Sequence, residues 1–142
     1  MQHAAAPSLF SPFRLAGVTL RNRVIKAATF EGMAPRAQVS DALIAHHVAL
    51  ARGGVGMTTV AYCAVSPDGR TFADQLYMRP DIVPDLRRLT DAVHAHGAAV
   101  SIQLGHCGGF CNNRDLRRRR PLGPSAGWNA LGALSGRPWA DA

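Results

Sequence analysis

Apolar and polar positions repeat along this chain at two different periods, and each change of period marks an element. Phe13-Arg14-Leu15 and Val18-Thr19-Leu20 alternate at period two around Ala16-Gly17, the pattern of a short β-hairpin. Gly17 is the residue expected to take the positive φ of its tight turn. Residues 1 to 8, ahead of the hairpin, read as a weakly structured lead. Val24 to Ala28 is a short apolar strand. A polar loop from Thr29 to Ser40 follows, holding Gly32 and Pro35. Ser40 or Asp41 is placed to cap a helix. Leu43, Ile44, His47, Val48 and Ala51 recur on that helix at helical spacing and give it one buried stripe. Gly53-Gly54 ends it, since glycine accepts the left-handed conformation beyond a helix.

The pattern then repeats. Val55 to Tyr62 is a second strand, rich in β-branched residues and apolar on both faces. Ser66-Pro67-Asp68-Gly69 forms a turn. A second helix starts near Pro84, with Leu86, Leu89 and Val93 as its stripe, His94 and His96 in its last turn and Gly97 closing it. Ala98 to Leu104 is a third strand. Strands apolar on both faces, joined through helices, predict a parallel α/β sheet. Beyond Leu104 no periodicity holds, and so long a stretch without it is unusual within a compact domain.

Composition narrows the class. The chain has 142 residues, 47% of them hydrophobic and 18% charged, enough apolar content for a core and too little charge for disorder. No stretch reaches the roughly 20 apolar residues of a membrane span. No basic patch followed by an apolar run opens the chain, so a cytoplasmic location and no membrane contact are expected. The net charge of +7 comes from arginines set against a single lysine, Lys26, and the acidic residues include a single glutamate, Glu31. Only Arg117 to Arg120 form a basic block. Without interleaved aromatics it reads as a solvated loop, so no nucleic acid is expected as a partner. Cys63, Cys107 and Cys111 are an odd count and lack a fourth ligand at zinc spacing, so they read as thiols rather than as a metal site. Cys63 and Cys107 are expected to be small buried fillers.

In a parallel sheet, ligands gather beyond the carboxyl ends of the strands. Those ends deliver Ala27 to Phe30, Ala61 to Cys63, and Gln103 to His106. Gln103 offers a donor and an acceptor to a heterocycle edge, or else is a buried polar residue satisfied by neighbouring loops. His106 reads as a structural histidine, and His46 and His47 as packing and surface residues. No phosphate-binding glycine signature is present.

Taken together, Leu9-Phe10-Ser11-Pro12, Leu20 to Ile25, Gly53-Gly54-Val55-Gly56, Ser66 to Arg70, His96-Gly97-Ala98, Gln103 to Gly108 and Gly123-Pro124-Ser125-Ala126 resemble the Old Yellow Enzyme family in order and spacing. The family comprises FMN-dependent, NAD(P)H-using oxidoreductases. The resemblance implies an eight-stranded β/α (TIM) barrel, of which residues 9 to 126 supply the N-terminal hairpin and about the first three βα units, with 127 to 142 an irregular tail. It implies FMN as cofactor, NAD(P)H as reductant and an activated alkene or similar small molecule as substrate. Backbone around Ala28 and Thr29 would face the flavin, Tyr62 would touch it, and Gln103 would bond its pyrimidine edge.

The chain also departs from the family. Ala28-Thr29-Phe30 stands where Pro-Met-Thr or Pro-Met-Cys is common, so Phe30 brings no hydroxyl or thiol to the ring. Tyr62 is larger than the usual residue, and Gly108-Gly109 replaces Gly-Arg. A β/α barrel needs about 250 residues. The expectation is therefore an N-terminal fragment, inactive alone, whose partner is a C-terminal half or a further copy of the chain. The alternative is a non-catalytic remnant.

Overall fold

A computed structural model describes residues 8–111 and 113. The Arg117 to Arg120 block, the Gly123 to Ala126 motif and the tail from 127 lie outside the described residues. A hairpin of β1 (Phe13–Leu15) and β2 (Val18–Leu20) leads into a parallel sheet. Its strands are β3 (Ile25–Lys26), β4 (Met57–Ala64) and β5 (Ala99–Gly105), in the order β3-β4-β5. Helix α1 (Asp41–Arg52) joins β3 to β4, and α2 (Val83–His94) joins β4 to β5.

The helices form for local reasons. The Ser40 hydroxyl accepts the Leu43 amide at 3.0 Å and so satisfies an orphan N–H of the first turn of α1. Asp41 in that turn and Arg52 in the last complement the helix dipole. Pro84 sits in the first turn of α2, where its missing N–H costs no bond. Beyond α2, Gly97 takes φ +72°. Leu43 and Ala51 of α1 and Leu89 and Val93 of α2 pack with Val60 and Cys63 of β4, and Val100 and Ile102 of β5 close the same core. Both helices thus cover one face of the sheet. The other face carries Ile25, Met57, Thr59 and Ser101, with the Thr59 and Ser101 hydroxyls 2.8 Å apart.

The amino ends of the strands are tied by the Arg21-Asn22 pair. The Arg21 guanidinium donates to the carbonyls of Val55 (3.0 and 2.8 Å), Ala51 and His96 (2.8 Å). It thereby gathers the ends of both helices. Asn22 donates to the Gly54 carbonyl at 2.7 Å and accepts from the Val24 amide at 3.0 Å. These residues lie on the floor opposite the ligand edge, where barrels keep their stability residues.

Several boundaries differ from the sequence expectation. Ala16, not Gly17, takes the positive φ of the hairpin, at 49°. The first sheet strand is two residues long rather than Val24 to Ala28, because side chains replace its ladder beyond Lys26. The second runs from Met57 to Ala64 rather than from Val55 to Tyr62. Its start is delayed because the Val55 amide still bonds to Leu50 at the end of α1 and the Val55 carbonyl goes to Arg21. Its end is extended because Ala64 pairs with Gly105 on one side and Tyr77 on the other. Helix α2 stops at His94, and His96 lies beyond it as a carbonyl acceptor for Arg21.

Candidate functional site

The carboxyl ends of β4 and β5 open into a cleft of about 390 Å³, lined in part by Tyr62, Thr71, Gln103, His106 and Phe110. That volume suits a small-molecule site. A register shift between Val60 and Cys63 places two residues of β4, Ala61 and Tyr62, against the single residue Gln103 of β5. Such a bulge bends the strand and re-aims its side chains, and here Tyr62 and Gln103 line the same cleft.

The segment after β4 folds back to wall the cleft. The Ala64 amide donates to Leu76 and the Met78 amide to Ala64, both at 2.8 Å, while the Cys107 amide donates to Gly69 at 2.9 Å. Buried Gln75 accepts the Thr71 amide at 2.7 Å. Arg70 and Arg79 lie over the Tyr77 ring, 4.8 and 4.3 Å from its centroid, a cation–π arrangement. Phe30 lies between Phe72 and Tyr62, with centroids 5.3 and 5.8 Å away.

Among the described residues, the titratable groups leave few candidates for acid–base or nucleophilic chemistry. Burial and the neighbouring Cys111 push the Cys107 thiol up to about 12, and burial pushes Cys63 up to about 11. Neither is a thiolate at neutral pH. His106 accepts the Gly108 amide on Nδ1 at 3.1 Å, which leaves the proton on Nε2, 3.8 Å from Asp68. A hydrogen bond from Ser66, with a contribution from His106, holds the Asp68 carboxyl below its usual range.

Of the four residues expected at the site, Tyr62 and Gln103 line the cleft. Gln103 is exposed in this structure. Ala28 and Thr29 follow β3 and are not among the cleft-lining residues. Cys107 is half-buried and lines the cleft, unlike Cys63, which is fully buried as expected. Sequence reasoning missed the Phe72 wall and Gln75. His47, expected on the buried stripe, is fully buried; what was missed is that its Nδ1 lies 2.7 Å from the Thr58 hydroxyl and its Nε2 3.5 Å from Glu31. The usable signal was the occurrence of the chain's single lysine and single glutamate five residues apart.

Parallel strands with helices on one face and a cleft at their carboxyl ends define part of a β/α barrel. The chain belongs to the NADH:flavin oxidoreductase / NADH oxidase family, whose family model matches residues 8–135. It is 51% identical to a 4,4'-dithiodibutanoate disulfide reductase of Rhodococcus erythropolis over 99% of its own length and 35% of the relative. It is 42% identical to a probable N-methylproline demethylase of Rhizobium meliloti over 70% of its length and 15% of that protein. Among solved structures, morphinone reductase superposes with a TM-score of 0.78 at 25% identity, over 88% of this chain and 34% of that one. The Old Yellow Enzyme from Pichia sp. AKU4542 superposes with a TM-score of 0.83 at 18% identity, over 97% and 38%. The fold is thus that of the corresponding part of a TIM barrel, and the chain spans about a third of the length of the Rhodococcus relative and of both solved structures, and less of the demethylase.

Proposed function

We propose that this chain contributes one wall of an FMN site in an NAD(P)H-dependent oxidoreductase. The observation that carries the reading is the placement of Gln103 and Tyr62 side by side at the bulge, on an open cleft at the carboxyl ends of parallel strands. The fit to a flat ring is supported by Gly105, where a Cβ would meet nothing within 4 Å, so the ring can approach the backbone at the strand end. The Gln103 amide would donate to and accept from the pyrimidine edge. Backbone near Ala28 and Thr29 would flank the ring, and Tyr62 would pack against it. When bound, FMN supplies two-electron redox chemistry, which suits a cleft whose own thiols stay protonated. Residues 9 to 126 are the part that would join the barrel, with a C-terminal half or another copy of the chain as partner, in the cytoplasm.

Two acceptor classes are in view. The family resemblance points to an activated alkene, and the 51% identity to a disulfide reductase points to an organic disulfide. Joining residues 1–142 in frame to the rest of the Rhodococcus relative gives a completed chain. Reduced nicotinamide consumption with an enone or an organic disulfide then decides between them. A completed protein that folds yet consumes reduced nicotinamide with neither acceptor refutes the oxidoreductase reading and leaves the non-catalytic remnant.

A further inference from the structure

The helix-facing side of a barrel strand is normally apolar, yet Lys26 of β3 projects there, in register with Thr58. It is the only lysine of the chain, and it pairs with the only glutamate, Glu31. The Glu31 side chain is 3% exposed and that of Lys26 16%. An ion pair that far out of water is a weak source of stability. What surrounds it gives it a more specific use.

The β3–β4 ladder ends at Lys26–Thr58. Just past it, the two side chains take up backbone groups that a longer β3 would have paired. Lys26 Nζ donates to the Thr59 carbonyl at 3.1 Å. Glu31 accepts the Ala61 amide on both oxygens, at 3.2 and 3.4 Å. Ala61 sits in the bulge, at the register shift of the β4–β5 pairing, and its amide faces the side on which β3 has ended, where Glu31 takes it up. Buried His47, held by Thr58, closes the other side of the carboxylate.

We propose that Glu31 is a positioning residue for the cleft: held by Lys26, its carboxylate clamps the Ala61 amide and so sets the bulge that turns Tyr62 toward the ligand edge. The arrangement also lets the chain leave the sheet after Lys26. The consequence for bound flavin rests on the FMN reading above; the clamp itself does not.

The test compares Glu31→Gln, the paired apolar variant Lys26→Met/Glu31→Met, and the charge swap Lys26→Glu/Glu31→Lys. Amide hydrogen exchange of the 142-residue chain is read at Ala61, with the α2 amides as the reference for global opening. Loss of one charge-assisted acceptor should speed Ala61 exchange about tenfold or more relative to α2 in the apolar variant and in the swap. The Gln variant, which keeps a neutral acceptor, should fall between these and the wild type. A lysine at position 31 cannot accept an amide proton, so an ion pair that served only the fold would be rescued by the swap, and this clamp is not. In the completed chain, the apolar variant and the swap should also bind FMN more weakly and shift its absorption bands. Ala61 exchange that rises no more than that of α2 in all three variants overturns the clamp. So does a swap that restores both Ala61 protection and the flavin spectrum. A completed wild-type chain that takes up no FMN defeats the flavin reading alone, since Ala61 exchange is measured without it.

Discussion

Gln103 and His47 show how far single residues carry this fold and its cleft. Gln103 stands at the lip of the cleft, opposite the bulge, with its amide exposed. Leucine there would leave the pyrimidine edge of a bound flavin unpaired, at about 1–3 kcal/mol. Gln103→Leu in the completed chain should therefore weaken FMN binding about tenfold or more, read by fluorescence titration, and an unchanged affinity removes Gln103 from the site. His47 is a matter of stability. Burial, with Lys26 and His46 adding like charge, lowers its pKa to about 4, while Glu31 and Thr58 face it from the other sides. The unfolded chain thus binds this proton near pH 6.5, where the folded chain does not. Stability should be full above about pH 6.5 and fall as the pH drops toward 4, by on the order of 3 kcal/mol. Denaturant unfolding across that range checks it, and His47→Gln should flatten the slope.

At the scale of elements, the close approach of the Asn22 loop to the start of β4 makes the clearest demand. A Cβ on Gly56 would lie 2.5 Å from the Asn22 carbonyl oxygen and 2.8 Å from its side-chain oxygen. Gly56→Ala should destabilise the chain by roughly 1–3 kcal/mol. Gly17→Ala, where a Cβ meets nothing within 4 Å, should stay within about 0.5 kcal/mol of the wild type. Thermal melts of the two variants test the contrast; equal melting temperatures would show that the Asn22 approach is not a constraint. Both helices and the parallel order were legible in the sequence because their signals are local: a serine cap, a helical stripe, glycines past each end. The strand boundaries were not, because side chains far away in sequence decide them. Arg21 takes the carbonyl of Val55, and Glu31 takes the amide of Ala61. The bulge that aims Tyr62 was hidden for the same reason, since nothing in Val60 to Cys63 announces an extra residue. Gln103 was legible because the end of a strand is where a parallel sheet presents chemistry.

At the scale of the whole molecule, the decisive feature is that the described residues cover one face of the sheet only. Among the described residues, Ile25 and Leu104 are large apolar side chains 41% and 55% exposed, with Phe110 at 56%. Both β3 and β5 are edges of the three-stranded sheet. Open edges and uncovered apolar surface favour association. The 142-residue chain alone is expected to elute from size exclusion as oligomers and to hold FMN more weakly than about micromolar. A phosphate-bearing ligand in a TIM barrel is held largely by the loops after strands seven and eight, and the described residues supply three parallel strands. The most direct measurement is FMN uptake by the chain joined to the remainder of its Rhodococcus relative. A yellow, cooperatively melting protein with an FMN dissociation constant of about a micromolar or tighter is the expected result. A completed protein that folds and melts cooperatively but stays colourless in excess FMN would contradict it.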